Sequence, residues 1–91
     1  MKKEDLKIIM IKSASKALDY RKINMKIKIE DILQKILNGI EDDETAKIVA
    51  VASATKALKY QDSGKLGDKQ ILQKILSESD EILFSLDINF K

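Results

Sequence analysis

The sequence predicts an all-α fold, a four-helix bundle made of two repeated αα-hairpins related by a pseudo-two-fold axis. The chain has no proline and only three glycines, so few residues interrupt a helix. Its apolar residues recur at the spacing of one helix face. Two blocks of sequence each occur twice with a period near 40 residues, which is typical of a repeated helical hairpin.

The repeat is visible by direct alignment of the two halves. Residues 7–20 correspond to residues 47–60 at an offset of 40, and residues 32–37 are identical to residues 71–76 at an offset of 39. The difference of one residue between the two offsets lies between the blocks, where a loop is expected. Each repeat should therefore contain a longer helix, a loop and a shorter helix.

The length of 91 residues accommodates one domain. We expect a single helical domain over residues 1–91. Its predicted parts are repeat 1 at 4–40, repeat 2 at 43–86 and a tail at 87–91.

The first helix of each repeat has a wide apolar face. In repeat 1 this face contains Leu6, Ile9, Met10, Ser13, Ala17 and Tyr20. In repeat 2, Ala52 replaces Lys12, so that residues 48–55 carry no charge on any side. A helix that is apolar all round is normally buried. We therefore predict that Asp43–Tyr60 is the central element of the fold or of a homodimer interface.

The second helix of each repeat is shorter and amphipathic. Gly39 is predicted to cap the C-terminus of the first copy, and Asp68 the N-terminus of the second. The last helix either runs to about residue 86 or breaks near residues 77–79 and restarts. The predicted core consists of Leu18, Ile36, Leu37, Val49, Ala50, Ala57, Leu58, Ile75 and Leu76.

Four loop or terminal segments have their own signals. The acidic residues 41–44 precede the central helix, where negative charge favours a helix N-terminus. Gly64 and Gly67 indicate the loop of the second hairpin. Residues 23–29 and 84–90 alternate with a period of two, which leaves short paired strands as an alternative there.

Histidine and cysteine are both absent from the sequence. Their absence excludes disulfides, thiolate metal sites, cysteine nucleophiles and imidazole acid–base catalysis. The S-x-x-K spacing of Ser13 to Lys16, and of Ser53 to Lys56, lacks the companion motifs of serine acylases and lies mid-helix. We interpret it as small residues for helix packing, and predict no enzyme activity and no catalytic, metal or cofactor-binding residues.

The charges are numerous and balanced. Lys and Arg number 17 against 15 Asp and Glu, a net charge of +2, and the signs are interspersed as on a solvated surface. Residues 1–5 do not resemble a signal peptide, and the uncharged run at 48–55 is too short for a membrane span. The sequence therefore predicts a soluble cytoplasmic protein without a membrane partner.

By elimination, the predicted function is a small protein–protein interaction module, such as an adaptor, an inhibitor or a regulator. The alternative is a nucleic-acid-binding regulator that uses the basic segment 21–28, because phosphate contacts need such charge. The expected partner is a protein, with self-association as a homodimer a further hypothesis. The candidate interaction residues are Tyr20, Arg21, Lys22, Lys26, Lys28, Ala52, Lys56 and Tyr60.

Overall fold

The structure, a computed structural model, describes residues 2–40 and 43–86. Within these ranges every regular element is an α-helix and no strand occurs, so the all-α prediction is confirmed. The elements are α1 (Lys3–Ile23), α2 (Ile29–Asn38), α3 (Glu44–Ser63), α4 (Asp68–Ser77) and α5 (Ser79–Ser85). None of these helices combines the length and the apolar character needed to cross a membrane.

Helix α3 lies at the centre and packs against α1, α2, α4 and α5. Its most extensive contact is with α1, where the buried side chains are mostly small. Small side chains let two helix axes approach closely. The buried residues of the two helices are Leu6, Met10, Ser13, Ala14, Ala17 and Leu18 in α1, and Ala46, Val49, Ala50, Ser53, Ala54, Ala57 and Leu58 in α3.

The buried side chains form two clusters on either side of the α1–α3 contact. The larger cluster joins these helices to α4 and α5 and contains Ile71, Ile75 and Leu83. The smaller cluster joins them to α2 through Ile32 and Ile36. The helices are therefore held together by apolar side chains in two clusters, both of which include residues of α1 and α3.

The predicted core is buried except for Leu37, which is half-buried, and Leu76, which is 51% exposed. The prediction for Leu76 was wrong because Ile75 occupies the inward position of α4, and its neighbour points about 100° away around the helix. Ile48 belongs to the uncharged segment predicted to be central in the fold or in a homodimer interface, and it is 48% exposed.

The helix ends follow local capping chemistry. The Asp43 side chain accepts a hydrogen bond from the Ala46 N–H at 3.0 Å and caps α3, as the acidic run predicted. Gly64 ends α3 with φ of 72°, a left-handed conformation that favours glycine. The prediction that Asp68 caps α4 was wrong: the cap is Gly67, whose N–H donates to Gln70 Oε1 at 2.9 Å.

The segment 23–29 contains no strand. Ile23 ends α1, Ile29 begins α2, and Asn24 Oδ1 accepts a hydrogen bond from the Lys26 N–H at 3.1 Å in the turn between them. An Asn side chain that bonds backbone two residues on stabilises a turn, and this overrides the alternating pattern. Phe84 and Ser85 end α5 and Leu86 is its C-cap, whereas the rest of the second alternating segment, 87–90, lies outside the described residues.

The last helical region is broken in two near the serines. Glu78 lies at the junction of α4 and α5, with φ of −95° and ψ of 2°. Beside it, the Ser77 hydroxyl donates to the Lys74 carbonyl at 2.9 Å and the Ser79 hydroxyl to the Leu76 carbonyl at 2.7 Å. Such hydroxyl bonds to the backbone compete with the helix ladder. Of the two sequence alternatives, the break is therefore the one observed.

Candidate functional site

The basic segment at the end of α1 is partly neutralised by acidic residues of the second half of the chain. Arg21 Nη1 lies 2.5 Å from Asp62 Oδ1 at the end of α3. Lys22 forms an ion pair with Asp68 at the start of α4, and the hydrogen bond and charge of Asp68 raise the pKa of Lys22. Both pairs join helix ends that are distant in sequence, so these two cations link the two halves of the chain as well as charging its surface.

Lys26 and Lys28 are the remaining cations of the basic segment. Both are exposed, and no carboxylate of the described residues lies within ion-pair distance of either. Lys28 also caps the start of α2 through its backbone. The loop therefore presents two free positive charges, half of the four that the sequence placed there.

Three further predicted interaction residues, Ala52, Lys56 and Tyr60, lie on α3, and Glu78 contacts two of them. The Tyr60 hydroxyl donates a hydrogen bond to Glu78 Oε1 at 2.6 Å, and Lys56 Nζ lies 3.3 Å from the same oxygen. Lys74 Nζ lies 3.6 Å from Glu78 Oε2 and 5.4 Å from the centroid of the Tyr60 ring. Ala52, one turn before Lys56, is half-buried and packs against the larger core cluster.

Burial and the contacts within this cluster shift the pKa values of Tyr60 and Glu78. Burial, together with the hydrogen bond to Glu78, raises the pKa of Tyr60 to about 12. Burial by itself would raise the pKa of Glu78, but the hydrogen bonds from Tyr60 and Lys56 and the charge of Lys74 outweigh it and lower the pKa. Glu78 is therefore ionised and Tyr60 neutral throughout the physiological range.

Replacing Glu78 with glutamine should destabilise the protein in a pH-dependent manner. Since folding lowers the pKa of Glu78, its stabilisation is complete above the unfolded value of 4.5 and is lost as the pH falls through the folded value. We expect Glu78→Gln to lower the free energy of unfolding by about 1–2 kcal/mol near neutral pH, the worth of a charged hydrogen bond. Wild type and variant should converge in strong acid, as measured by urea denaturation.

The matched control for this prediction is Glu81→Gln. Glu81 is an exposed carboxylate on the neighbouring helix α5, without an ion pair among the described residues. Its replacement should change the free energy of unfolding by less than about 0.5 kcal/mol at any pH. An equal effect of the two variants, or a Glu78→Gln effect that does not shrink in acid, would contradict the assignment.

A second tyrosine–lysine contact lies in the first half of the chain. Lys35 Nζ of α2 lies 5.8 Å from the centroid of the Tyr20 ring. In the alignment of the two halves, Tyr20 corresponds to Tyr60 and Lys35 to Lys74, so the same cation–π contact occurs at aligned positions. The residue aligned with Glu78 is Gly39, and the two halves therefore differ in the carboxylate.

A cavity of about 440 Å³ lies beside Gly39. Its lining is mixed, with apolar groups from three helices and polar groups from α1 and the α3 cap. The lining residues are Ile9, Lys12, Ser13, Lys16, Ile36, Gly39, Ile40, Asp43 and Ala46. The cavity can therefore hold a small amphiphilic group, with Lys12 and Lys16 as the available cations.

An apolar surface is present on the other side of α1, where α1 meets α4. We name it the α1–α4 surface and define it by Ile8, Ile11, Leu72 and Leu76, which line adjoining shallow depressions. Ile8 is 53% exposed and Leu76 51% exposed, whereas the other two are half-buried. Lysines surround the surface. These are Lys7, Lys12, Lys16 and Lys69.

Sequence reasoning missed the α1–α4 surface and the role of Glu78. The wide apolar arc of α1 was a signal for the surface, since one neighbouring helix cannot cover it. Leu76 was assigned to the core because its phase in α4 is apolar. Glu78 had no sequence signal, because its partners Lys56 and Tyr60 come close only when α3 and α4 pack together.

Comparison with known proteins gives no relationship to report. No protein-family model matches the chain, and no curated protein or solved structure is significantly similar to it. Within residues 2–40 and 43–86, no cluster of acidic side chains is arranged to hold a metal ion. The function must therefore be argued from the surfaces of the molecule.

Proposed function

We propose that this protein is a small cytoplasmic interaction module, without enzyme activity, that acts as an adaptor, an inhibitor or a regulator of a protein partner. The observation that carries the proposal is the α1–α4 surface. Isoleucine and leucine side chains lie exposed there side by side, and a contiguous exposed apolar surface bordered by polar residues is typical of protein interfaces. The absence of cysteine fits a reducing compartment.

The chemistry of the α1–α4 surface favours one type of partner. Apolar side chains of α1 and α4 line a shallow groove, which suits the apolar face of an amphipathic helix. Lys12 and Lys69 border the groove, and no carboxylate of the described residues is within ion-pair distance of either. A partner helix with acidic residues flanking its apolar face would complement both features.

A tagged pull-down from the native cell, followed by mass spectrometry, tests this proposal. The wild type is compared with the double variant Ile8→Glu/Leu76→Glu, which places two negative charges on the α1–α4 surface. Both side chains are half-exposed, so the variant should keep its helical circular dichroism and thermal transition. The matched control is Ile23→Glu, which adds charge at an 84% exposed isoleucine at the far end of α1.

A protein captured by the wild type and by Ile23→Glu, and lost in the double variant, would support the proposal. Equal capture by all three proteins, or loss only in Ile23→Glu, would contradict the assignment of the α1–α4 surface. Recovery of nucleic acid in place of a protein would favour the alternative function. In that case Lys26→Gln/Lys28→Gln should abolish a gel shift that is strong at low salt and collapses as salt is added.

We further infer that the molecule is a four-helix bundle of two duplicated hairpins, with α5 as an additional short helix. Support comes from burial at aligned positions. Ser13, Ala14, Ala17 and Leu18 are buried in α1, and the residues aligned with them are all buried in α3. Ile32 and Ile36 of α2 are also buried, and so are the residues aligned with them in α4, Ile71 and Ile75. Two short hairpins that cannot bury their apolar faces alone would do so by packing together.

Self-association through α3 is a separate proposal. Its support is the uncharged segment of α3, in which Ile48 is 48% exposed and Val51, Ala52 and Thr55 are half-buried. A second copy packed on this face would remove the exposed apolar groups from water. Multi-angle light scattering should then report a dimer that Ile48→Glu converts to a monomer. A monodisperse wild-type monomer at high micromolar concentration would contradict it.

A further inference from the structure

The two short helices end in the same backbone conformation but carry different side chains. Gly39, at the end of α2, has φ of −89° and ψ of −1°, and Glu78, at the end of α4, has φ of −95° and ψ of 2°. The offset of 39 that aligns α2 with α4 also aligns these two residues. One half of the chain therefore has a carboxylate at a position where the other half has only a hydrogen atom.

The groups that surround the two positions correspond. Glu78 is held by Lys56, Tyr60 and Lys74. The aligned residues of the first half are Lys16, Tyr20 and Lys35. Lys35 lies over the Tyr20 ring as Lys74 lies over Tyr60, and Lys16 Nζ is 3.6 Å from the point where a β-carbon on Gly39 would stand. The first half thus has the cationic surroundings of Glu78 without its acid.

The cavity of about 440 Å³ described above lies beside Gly39, and of the three residues aligned with the partners of Glu78 it is Lys16 that lines it. Isoleucines from α1 and α2 line part of it, while Lys12 and Lys16 supply positive charge. No carboxylate of the described residues lies within ion-pair distance of these two lysines. Asp43 also lines the cavity, but its carboxylate is engaged with the Ala46 N–H at 3.0 Å as the cap of α3.

We propose that this cavity is a binding site for a carboxylate carried on a short apolar stem. The carboxylate accepts hydrogen bonds from Lys12 and Lys16, as Glu78 accepts them from Lys56, and the stem packs against the isoleucines. The ligand is either a small organic acid or a glutamate side chain of a protein partner. The site shares Lys12 and Lys16 with the border of the α1–α4 surface, but Gly39 and the isoleucines that line it lie outside that surface. The proposal does not depend on the function proposed for the α1–α4 surface.

Glutarate, an acid with a short methylene stem, is the probe for this site. In an NMR titration of the full chain at low salt, glutarate should shift the Gly39 amide and the Lys16 side-chain signals saturably at millimolar concentration. Glutaramide, which has the same size and no charge, should not shift them. Lys16→Gln should weaken binding by about tenfold, the loss expected for one charge-assisted hydrogen bond.

Gly39→Glu is the decisive variant, because it supplies the missing carboxylate from the chain itself. The backbone at Gly39 is compatible with any L-residue, and an added β-carbon would meet only ordinary contacts, with the Ile36 carbonyl oxygen at 3.5 Å and Lys16 Nζ at 3.6 Å. This variant should abolish glutarate binding and raise the melting temperature. Gly39→Gln, which fills the same space without charge, should not raise the melting temperature as much.

Two further comparisons identify the source of the carboxylate. A capped peptide with a central glutamate, set against its glutamine analogue, tests a partner side chain, whereas free glutarate tests a small acid. Saturable, charge-dependent binding in either arm supports the site. The variant Glu41→Gln/Asp42→Asn removes the chain's own neighbouring carboxylates, which lie outside the described residues.

Four results would overturn the proposal. The first is the absence of a saturable shift of the Gly39 amide with both glutarate and the glutamate peptide, and the second is an equal shift with glutaramide. The third is unchanged glutarate affinity in Gly39→Glu, and the fourth is binding that occurs only when Glu41 and Asp42 are replaced. None of these results affects the pull-down with Ile8→Glu/Leu76→Glu. A failure of the carboxylate site and a failure of the proposed interaction function are therefore separately visible.

Discussion

Ile75→Ala should lower the free energy of unfolding by about 2–5 kcal/mol, the usual cost of truncating a fully buried isoleucine. Ile75 is 0% exposed and belongs to the larger core cluster, where it packs among side chains of α1, α3 and α5. Truncation loses the transfer free energy of the removed methyl groups and leaves a cavity that rigid helices close only in part. Urea denaturation followed by circular dichroism measures the change.

The neighbouring leucine provides a matched control for Ile75. Leu76 has the same number of side-chain carbons as Ile75 and lies on the same helix, yet it is 51% exposed. Leu76→Ala should therefore cost less than about 0.5 kcal/mol. If Ile75→Ala proves too unstable to measure, Ile75→Val should still cost about 0.5–1.5 kcal/mol. Equal losses for the two alanine variants would contradict the orientation of α4.

Ala54→Leu should destabilise the protein by about 1–3 kcal/mol through overpacking. Ala54 is 0% exposed and lies in the smaller core cluster with Ala17, Ala50 and Leu58, where α1 and α3 approach closely. Three additional carbons cannot enter this contact unless the two helices separate. Alanine and leucine have similar helix propensities, so the loss reports on packing. Thermal unfolding should show a fall in the melting temperature of several degrees.

Ala52→Leu is the control for this second prediction. Ala52 lies on the same helix but is half-buried, so a larger side chain can extend toward solvent. Its melting temperature should stay near that of the wild type, because surface-facing substitutions usually change stability by less than about 0.5 kcal/mol. A tolerated leucine at position 54 would show that the α1–α3 contact is looser than its small side chains indicate.

The two halves of the chain combine the same apolar packing with different polar chemistry at one end. Both place a tyrosine ring next to a lysine of the shorter helix. In the second half Glu78 completes the cluster and joins α3 to the α4–α5 junction. In the first half Gly39 borders a cavity. Two halves with similar sequences can in this way differ in role, with Glu78 as a structural contact in one half and the cavity as the proposed ligand site in the other.

The helical class and most of the helix ends were predictable because they depend on neighbours along the chain. The apolar spacing of α1 to α4 acts within a few residues, and so does the capping of α3 by Asp43. Local signals failed only where two of them competed. Asn24 imposes a turn on an alternating segment, and Gly67 with Gln70 caps α4 ahead of Asp68.

The candidate sites were less predictable, because they depend on residues that are distant in sequence. Arg21 and Lys22 are predicted interaction residues of the basic segment, and they pair with Asp62 and Asp68 of the second half. Tyr60 and Lys56 are predicted interaction residues, and the residue that joins them, Glu78, carries no sequence signal. Charge pairs across helices follow from packing geometry, which a one-dimensional pattern does not contain.

By itself, the sequence determined that this chain is helical, that its two halves share one pattern, and which side chains form the apolar stripes. Only the tertiary structure decided which members of those stripes meet another helix and which face solvent. Ile75 is buried while Leu76 is exposed, and Ile8 and Ile48 lie at the surface. The physical reason is that helix periodicity is local, whereas burial depends on how many neighbours a helix has and where they lie.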